Sequence, residues 1–222
     1  MTYREFYRRH LPHWQPLNAT LFVTFRLAGS LPQSVMDQLR KDREAAKRKY
    51  VQIADKIQRE KQDDLDDRRA FGRWDEALDL YSESPSWLGQ PEIAEIVAEA
   101  LHYRDGKVYD LLAYCIMPNH VHVVFVGRTG SPSNDTDRNV ILANEDPIPL
   151  QTILQSLKRH TARQANLKLG RQGAFWQEEN YDHVPRDSQE LERIIQYVLN
   201  NPVKAGFVDR WEDWRWTYFK LD

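Results

Sequence analysis

The chain has 222 residues, 41% of them hydrophobic, with seven Trp and ten Tyr, which points to a packed core and excludes a disordered chain. Its formal net charge of −2 excludes the global basic signature of a nucleic-acid binder, so any such activity needs a local patch. The single cysteine, Cys115, excludes an internal disulfide, and neither a signal-peptide core nor a run near the ~20 apolar residues of a membrane span is present, so the expectation is a soluble, cytoplasmic protein.

Residues 18–29, NATLFVTFRLAG, alternate Leu21, Val23 and Phe25 against Phe22, Thr24 and Arg26, which predicts a well-buried strand. A long charged helical arm follows from Leu31 to about Arg69, with apolar residues at Leu39, Ala46, Tyr50, Ile53 and Ile57. Eleven basic and nine acidic residues alternate between Met36 and Arg69, the pattern of a solvated helix face; a contact to DNA or to a partner is the other reading. PEIAEIVAEALHYRDG predicts a helix: Pro91 suits its first turn, Ile93, Ile96, Val97, Ala100 and Leu101 form one stripe, and Gly106 stops it.

KVYDLLAYCIM and HVHVVFVG predict two strands joined by a short turn at Pro118 and Asn119. Residues 127–146 are mostly turn-forming and polar, which predicts a flexible surface loop. A helix is expected from about Pro149 to Leu167, then an irregular aromatic stretch, GAFWQEENYDHV, with a short strand near Tyr181 to Val184. The last helix runs from Asp187 to Asn201, where Asp187 and Glu190 resemble a capping box and Pro202 marks the end. The order strand, helices, strand, strand, helix, strand, helix predicts an α+β sandwich of ferredoxin-like or RRM-like type with a mainly antiparallel central sheet. The expectation is one domain over 1–222, with a helical insertion at about 31–70.

Three features carry chemistry. His120 and His122 stand two positions apart in a strand, so their imidazoles share one face while Val121 and Val123 face a core. Two converging imidazoles suit a divalent metal, although such a pair also arises by chance. In the final helix Leu191, Ile194, Ile195, Val198 and Leu199 form the apolar stripe, and Tyr197 lies about 130° from its centre. Asn201, four positions on, shares that flank. The pair reads as a tyrosine beside an amide that adds an oxygen ligand, or as a half-exposed tyrosine and an ordinary helix end. Between Pro147 and Gln177 lie Lys158, Arg159, Arg163, Lys168 and Arg171 with no acidic residue, together with His160, Phe175 and Trp176. Cations for phosphates and rings for stacking suit single-stranded or hairpin nucleic acid; a basic solvated helix face is the alternative.

Taken together, MPNHVHVVF, FWQEENYDHVPRD and IIQYVLNNPVKAGFV resemble the single-tyrosine HUH transposases, in particular the REP-associated tyrosine transposase branch. The resemblance covers the strand at 18–29 and most of the chain from about 90 to 210. It implies that His120 and His122 hold a divalent metal, Mg²⁺ or Mn²⁺, that Asn201 is the third ligand and that Tyr197 is the nucleophile. It also implies metal-dependent cleavage and strand transfer of single-stranded hairpin or palindromic DNA, through a covalent 5′-phosphotyrosine, by a monomer or homodimer. Phenols, with a pKa of about 10, are poor nucleophiles unassisted, which is why that chemistry needs the metal. The linkage conserves bond energy, and no GxxxxGK[ST] motif is present. Tyr181 and His183 match the family's aromatic and histidine segment and read as scaffold or substrate contacts. The arm at 31–70 and the loop at 127–146 match nothing transferable.

Two rivals remain. A zinc hydrolase built on His120 and His122 needs a third ligand and a nearby carboxylate base, but VVFVGR follows His122. A domesticated, non-catalytic binder of nucleic-acid hairpins is the other.

Overall fold

The computed structural model describes residues 6–8, 12–14, 19–50, 55–80, 84–129 and 148–220. Contacts divide the chain into two compact units, Met1–Leu27 with Ser86–Asp222, and Ala28–Pro85.

The first unit begins with a two-stranded antiparallel ribbon, β1 (Phe6–Arg8) and β2 (Pro12–Trp14). Strand β3 (Thr20–Leu27) follows. The second unit then intervenes in the sequence as two helices packed on each other, α1 (Gln33–Tyr50) and α2 (Lys56–Leu80). Their charge alternation is resolved by local bonds. Arg43 donates through Nε and Nη2 to Asp67 Oδ1 across the pair, at 3.0 and 2.6 Å, while Gln33–Asp37 and Gln38–Asp42 bond one turn apart within α1. The second helix runs to Leu80, past the 31–70 stretch that charge alternation marks out, and Ile53 lies outside the described residues.

The first unit resumes with α3 (Pro91–Arg104), β4 (Tyr109–Ile116), β5 (His120–Gly127), α4 (Leu150–Lys168), β6 (Trp176–His183), α5 (Ser188–Leu199), α6 (Asn201–Lys204) and β7 (Thr217–Phe219). Helix α3 stops as expected, Gly106 taking φ +72° just beyond it, a conformation open to glycine at no steric cost. The sheet order is β6-β3-β5-β4-β7, antiparallel throughout. Strands β3, β4, β5 and β6 with crossover helices α3 and α4 give the β-α-β-β-α-β order of a ferredoxin-like sandwich, and β7 extends its β4 edge.

Alternation divides the sheet into two faces. Leu21, Val23, Phe25 and Leu27 of β3 and Val121, Val123 and Phe125 of β5 are buried with Ile93, Val97 and Leu101 of α3 and Ile153, Leu154 and Leu157 of α4. The opposite face carries Phe22, Thr24 and Arg26 of β3 and His120 and His122 of β5. Helix α5 packs on β4, β5 and β7. Among the described residues no helix is long and apolar enough to cross a membrane.

Two local readings need correction. The short strand near Tyr181 to Val184 is an eight-residue strand, Trp176–His183, because β3 pairs with it from Phe22↔His183 to Leu27↔Trp176 across an irregularity. Its polar sequence, WQEENYDH, hides the strand, since an edge position leaves most of its side chains partly exposed. The final helix ends at Leu199, two residues before the expected Asn201, with Asn200 as its cap, and Asn201 opens the short helix α6. Within the loop expected at 127–146, residues 130–146 lie outside the described residues.

Candidate active site

The two histidines are placed by the central strand. His120 and His122 are both fully buried, and their rings meet edge to face at 4.6 Å with the two Nε2 atoms 3.0 Å apart. Each Nδ1 has a partner: Asn119 Oδ1 at 2.6 Å for His120 and Thr24 Oγ1 at 2.8 Å for His122. Thr24 reaches His122 because β3 and β5 pair in register, Thr24 opposite His122 and Arg26 opposite His120. Asn119 is fixed by its own backbone, whose carbonyl accepts from the Leu27 N–H at 2.8 Å.

The tautomers follow. An amide oxygen only accepts, so His120 carries its proton on Nδ1 and presents an Nε2 lone pair. The Thr24 hydroxyl accepts from His122 in the same way, or donates to it and leaves a proton on His122 Nε2. In the first state two lone pairs face each other across 3.0 Å and need a cation between them. Orienting each imidazole through its outer nitrogen is how metal-binding histidines are held.

In the second state the His122 Nε2–H donates to His120 Nε2 across the same 3.0 Å, and a divalent ion displaces that proton when it binds both nitrogens. Asn201 is 1% exposed, and both its side-chain oxygen and nitrogen are buried without a partner among the described residues. Leaving such an amide unpaired costs on the order of 1–3 kcal/mol per group, so its presence fits a ligand.

Tyr197 stands beside the pair. Its ring centroid lies 5.6 Å from that of His122, at 70°. Phe22 links the group, its ring 5.8 Å from His122, 6.0 Å from Tyr181 and 6.3 Å from Tyr197. The buried side of α5 therefore includes polar residues beside the apolar stripe of Leu191, Ile194, Ile195, Val198 and Leu199. Glu190 shows the same thing. Buried at 4% exposure, its carboxylate accepts from Arg186 N at 2.9 Å and sits 3.0 Å from His183 Nε2. That contact ties the start of α5 to the end of β6, while Asp187 caps the helix by accepting from Glu190 N at 2.7 Å.

Sequence reasoning missed Phe22, Thr24, Asn119 and Glu190. The alternation of β3 already places Phe22 and Thr24 opposite the core residues, which is the signal that finds them. Arg26 shares their face and is buried; burial pulls its guanidinium below the ordinary range, opposed by the charge of Glu179.

The basic stretch divides. Arg159, Arg163 and Lys168 are exposed on α4. Lys158 donates to the carbonyls of Gln177 and Glu178 at 3.0 and 3.2 Å, and Arg171 lies over the Trp87 ring at 3.8 Å while donating to Asn166 Oδ1 and Ala174 O. Trp176 is no stacking surface for a base. It is 7% exposed, donates through Nε1 to Thr161 Oγ1 at 2.8 Å and packs edge-on against Phe25 and Phe175. The β3–β6 pairing turns its indole into the core.

No family model matches the chain. A Haemophilus influenzae protein provisionally named REP-associated tyrosine transposase is 28% identical over 114 residues, 51% of this chain and 61% of its own length. The REP-associated tyrosine transposase of Escherichia coli K12 is 22% identical over 116 residues, 52% of this chain and 58% of its own. The chain thus spans less than two thirds of the length of the curated relatives it matches. A solved structure of a REP-associated tyrosine transposase bound to a REP hairpin covers 95% of this chain and 80% of that one, at 15% identity and a TM-score of 0.47. The resemblance carried by the sequence motifs is thus met by curated relatives of that name.

Proposed function

We propose that the protein cleaves single-stranded DNA, in a hairpin or palindromic context, and transfers the strand through a covalent bond to Tyr197. The observation that carries this reading is the placement of a tyrosine ring 5.6 Å from one of two buried histidines whose Nε2 atoms converge at 3.0 Å. The naming of both curated relatives as tyrosine transposases supports the reaction class.

In this reading the Tyr197 oxygen attacks the phosphorus of a phosphodiester. The bond to O3′ breaks, the phenol proton is given up, and the departing 3′ oxygen takes a proton to become a free hydroxyl. The product is a 5′-phosphotyrosine, and an incoming 3′-hydroxyl reverses the step with no external energy source. Phe22 holds the Tyr197 and His122 rings in fixed relation, and the His183–Glu190 contact holds α5 on the sheet, so the nucleophile is prepositioned. His120, His122 and Asn201 would hold a divalent ion, with Asn119 and Thr24 orienting the imidazoles. When bound, that ion supplies charge neutralisation for a non-bridging phosphate oxygen. No carboxylate base follows His122 in VVFVGR, which counts against the zinc hydrolase.

The test is incubation with hairpin and unstructured oligonucleotides in Mg²⁺ or Mn²⁺, read on denaturing gels. Wild type should give a protein–DNA band that resists denaturation and is lost with chelator, and His120→Ala and His122→Ala should give none while unfolding cooperatively. No adduct from wild type with any oligonucleotide, despite hairpin binding, would leave only a non-catalytic binder.

A further inference from the structure

With Trp176 in the core, the stacking surface for unpaired bases lies elsewhere. We infer that Phe207, stacked on Trp214 in the turn that follows Lys204, is a platform for a nucleobase of the single strand flanking the scissile phosphate. This deepens the proposed function and rests on it for the word scissile.

Phe207 is 50% exposed, one of two aromatic residues among the exposed large hydrophobics. The other, Tyr103, already has the Lys107 ammonium 3.3 Å from its ring centroid. One face of Phe207 rests on Trp214, centroids 5.2 Å apart and planes 22° from parallel. Such a stack extends naturally by one more flat π system.

The platform is rigid. Gly206 takes φ +75°, open to glycine without strain, and the Phe207 N–H donates to Pro202 O at 2.9 Å. Trp214 is pinned from the other side, its Nε1 donating to Ile116 O at 3.0 Å. Ile116 immediately follows Cys115, which pairs with His122, so the anchor sits at the strand end that supports the histidines. A half-exposed ring forgoes part of its burial energy, and a stack held in place before binding loses little entropy when a base joins it.

A cation stands between the proposed nucleophile and the platform in the chain. The turn that carries Phe207 opens with Asn201 and includes exposed Lys204, whose Nζ lies 6.0 Å from the Tyr197 ring centroid. Past the platform, exposed Arg210 is paired with Glu212 at 3.4 Å and flanked by exposed Asp209 and Asp213, so Lys204 is the cation on which the reading rests. Lys204 thus stands close to the Tyr197 ring and three residues before Phe207 in the chain. Cations for the backbone with aromatic faces for successive bases is how single strands are held without sequence readout.

The test reads binding in chelator, so it does not depend on chemistry. A fluorescein-labelled DNA hairpin with single-stranded 5′ and 3′ flanks is scanned with single abasic substitutions, and affinity is measured by anisotropy for wild type, Phe207→Leu and Phe207→Tyr. Leucine keeps apolar contact with Trp214 and removes the π face; tyrosine restores it. Wild type should lose roughly ten-fold in affinity at one flank position. Phe207→Leu should bind the intact hairpin roughly ten-fold more weakly and be indifferent to the abasic site at that position, and Phe207→Tyr should behave as wild type. A Phe207→Leu protein that keeps the wild-type abasic penalty, or binds intact DNA normally, overturns the inference. So does a variant whose main change is a shift in oligomeric state by sedimentation, which would assign the ring to a protein contact. A wild type that shows the position-dependent loss yet forms no adduct with metal overturns the cleavage reading and keeps the platform.

Discussion

Thr24→Val tests the orientation of the histidine pair with the least disturbance of packing. Valine matches threonine in shape at a fully buried position and removes only the oxygen that meets His122 Nδ1 at 2.8 Å. Two effects follow. The imidazole keeps a buried Nδ1–H with no acceptor, at a cost of about 1–3 kcal/mol in stability. Alternatively it moves its proton to Nε2, the atom that faces His120 at 3.0 Å, and loses the lone pair a metal needs. Removing a partner of this kind lowers metal affinity about 10–100-fold, or about 1.4–2.8 kcal/mol. Calorimetric titration with Mn²⁺, beside thermal melts of the metal-free protein, reads both quantities. Thr24→Ser restores the oxygen and should recover most of the metal affinity. Unchanged Mn²⁺ affinity in a folded Thr24→Val protein would show that His122 Nε2 is not a ligand.

Trp176→Phe should destabilise the fold by about 1–3 kcal/mol in urea, because the Thr161 hydroxyl loses its donor and the core loses volume, with hairpin affinity unchanged. Weaker DNA binding at unchanged stability would return the indole to the interface. Burial pushes the Tyr114 phenol up to about 12, so the folded state favours its neutral form. That stability is fully present below pH 10 and lost as pH rises through about 12, so the wild-type melting temperature should fall across this window and Tyr114→Phe should fall less. An equal decline in both proteins would refute the assignment. On α4, replacing the exposed Arg159, Arg163 and Lys168 together should flatten the dependence of log affinity on log salt by about 2, at about 0.7 per phosphate contact. An unchanged slope would make that face solvation only.

Periodicity made the sandwich legible wherever one face of an element is apolar. The β3 alternation, the α3 stripe and the paired β4 and β5 runs all fold as the pattern requires. It failed at β6, where an edge strand of polar residues has no apolar face to betray it. At α5 the stripe is buried or half-buried as expected, but the helix also buries Glu190, which is met by His183 and a backbone amide from outside the helix, partners that no helical projection contains. The histidine pair was legible from its spacing of two, but Thr24 and Asn119 were not, since one depends on strand register and the other on a turn held by Leu27. Trp176 was misread because aromatic residues near basic ones look alike in sequence whether they stack on DNA or on Phe25.

The most direct measurement is the identity of the residue that carries DNA. Wild-type adduct trapped with a hairpin oligonucleotide and Mn²⁺ is digested and mapped by mass spectrometry, beside Tyr197→Phe and Tyr181→Phe. Phenylalanine keeps the Tyr197 ring against Phe22 and His122 and removes only the attacking oxygen. The nucleotide should map to Tyr197, Tyr197→Phe should bind the hairpin and form no adduct, and Tyr181→Phe should still form it. An adduct that persists in Tyr197→Phe, or maps to Tyr181, would contradict the account.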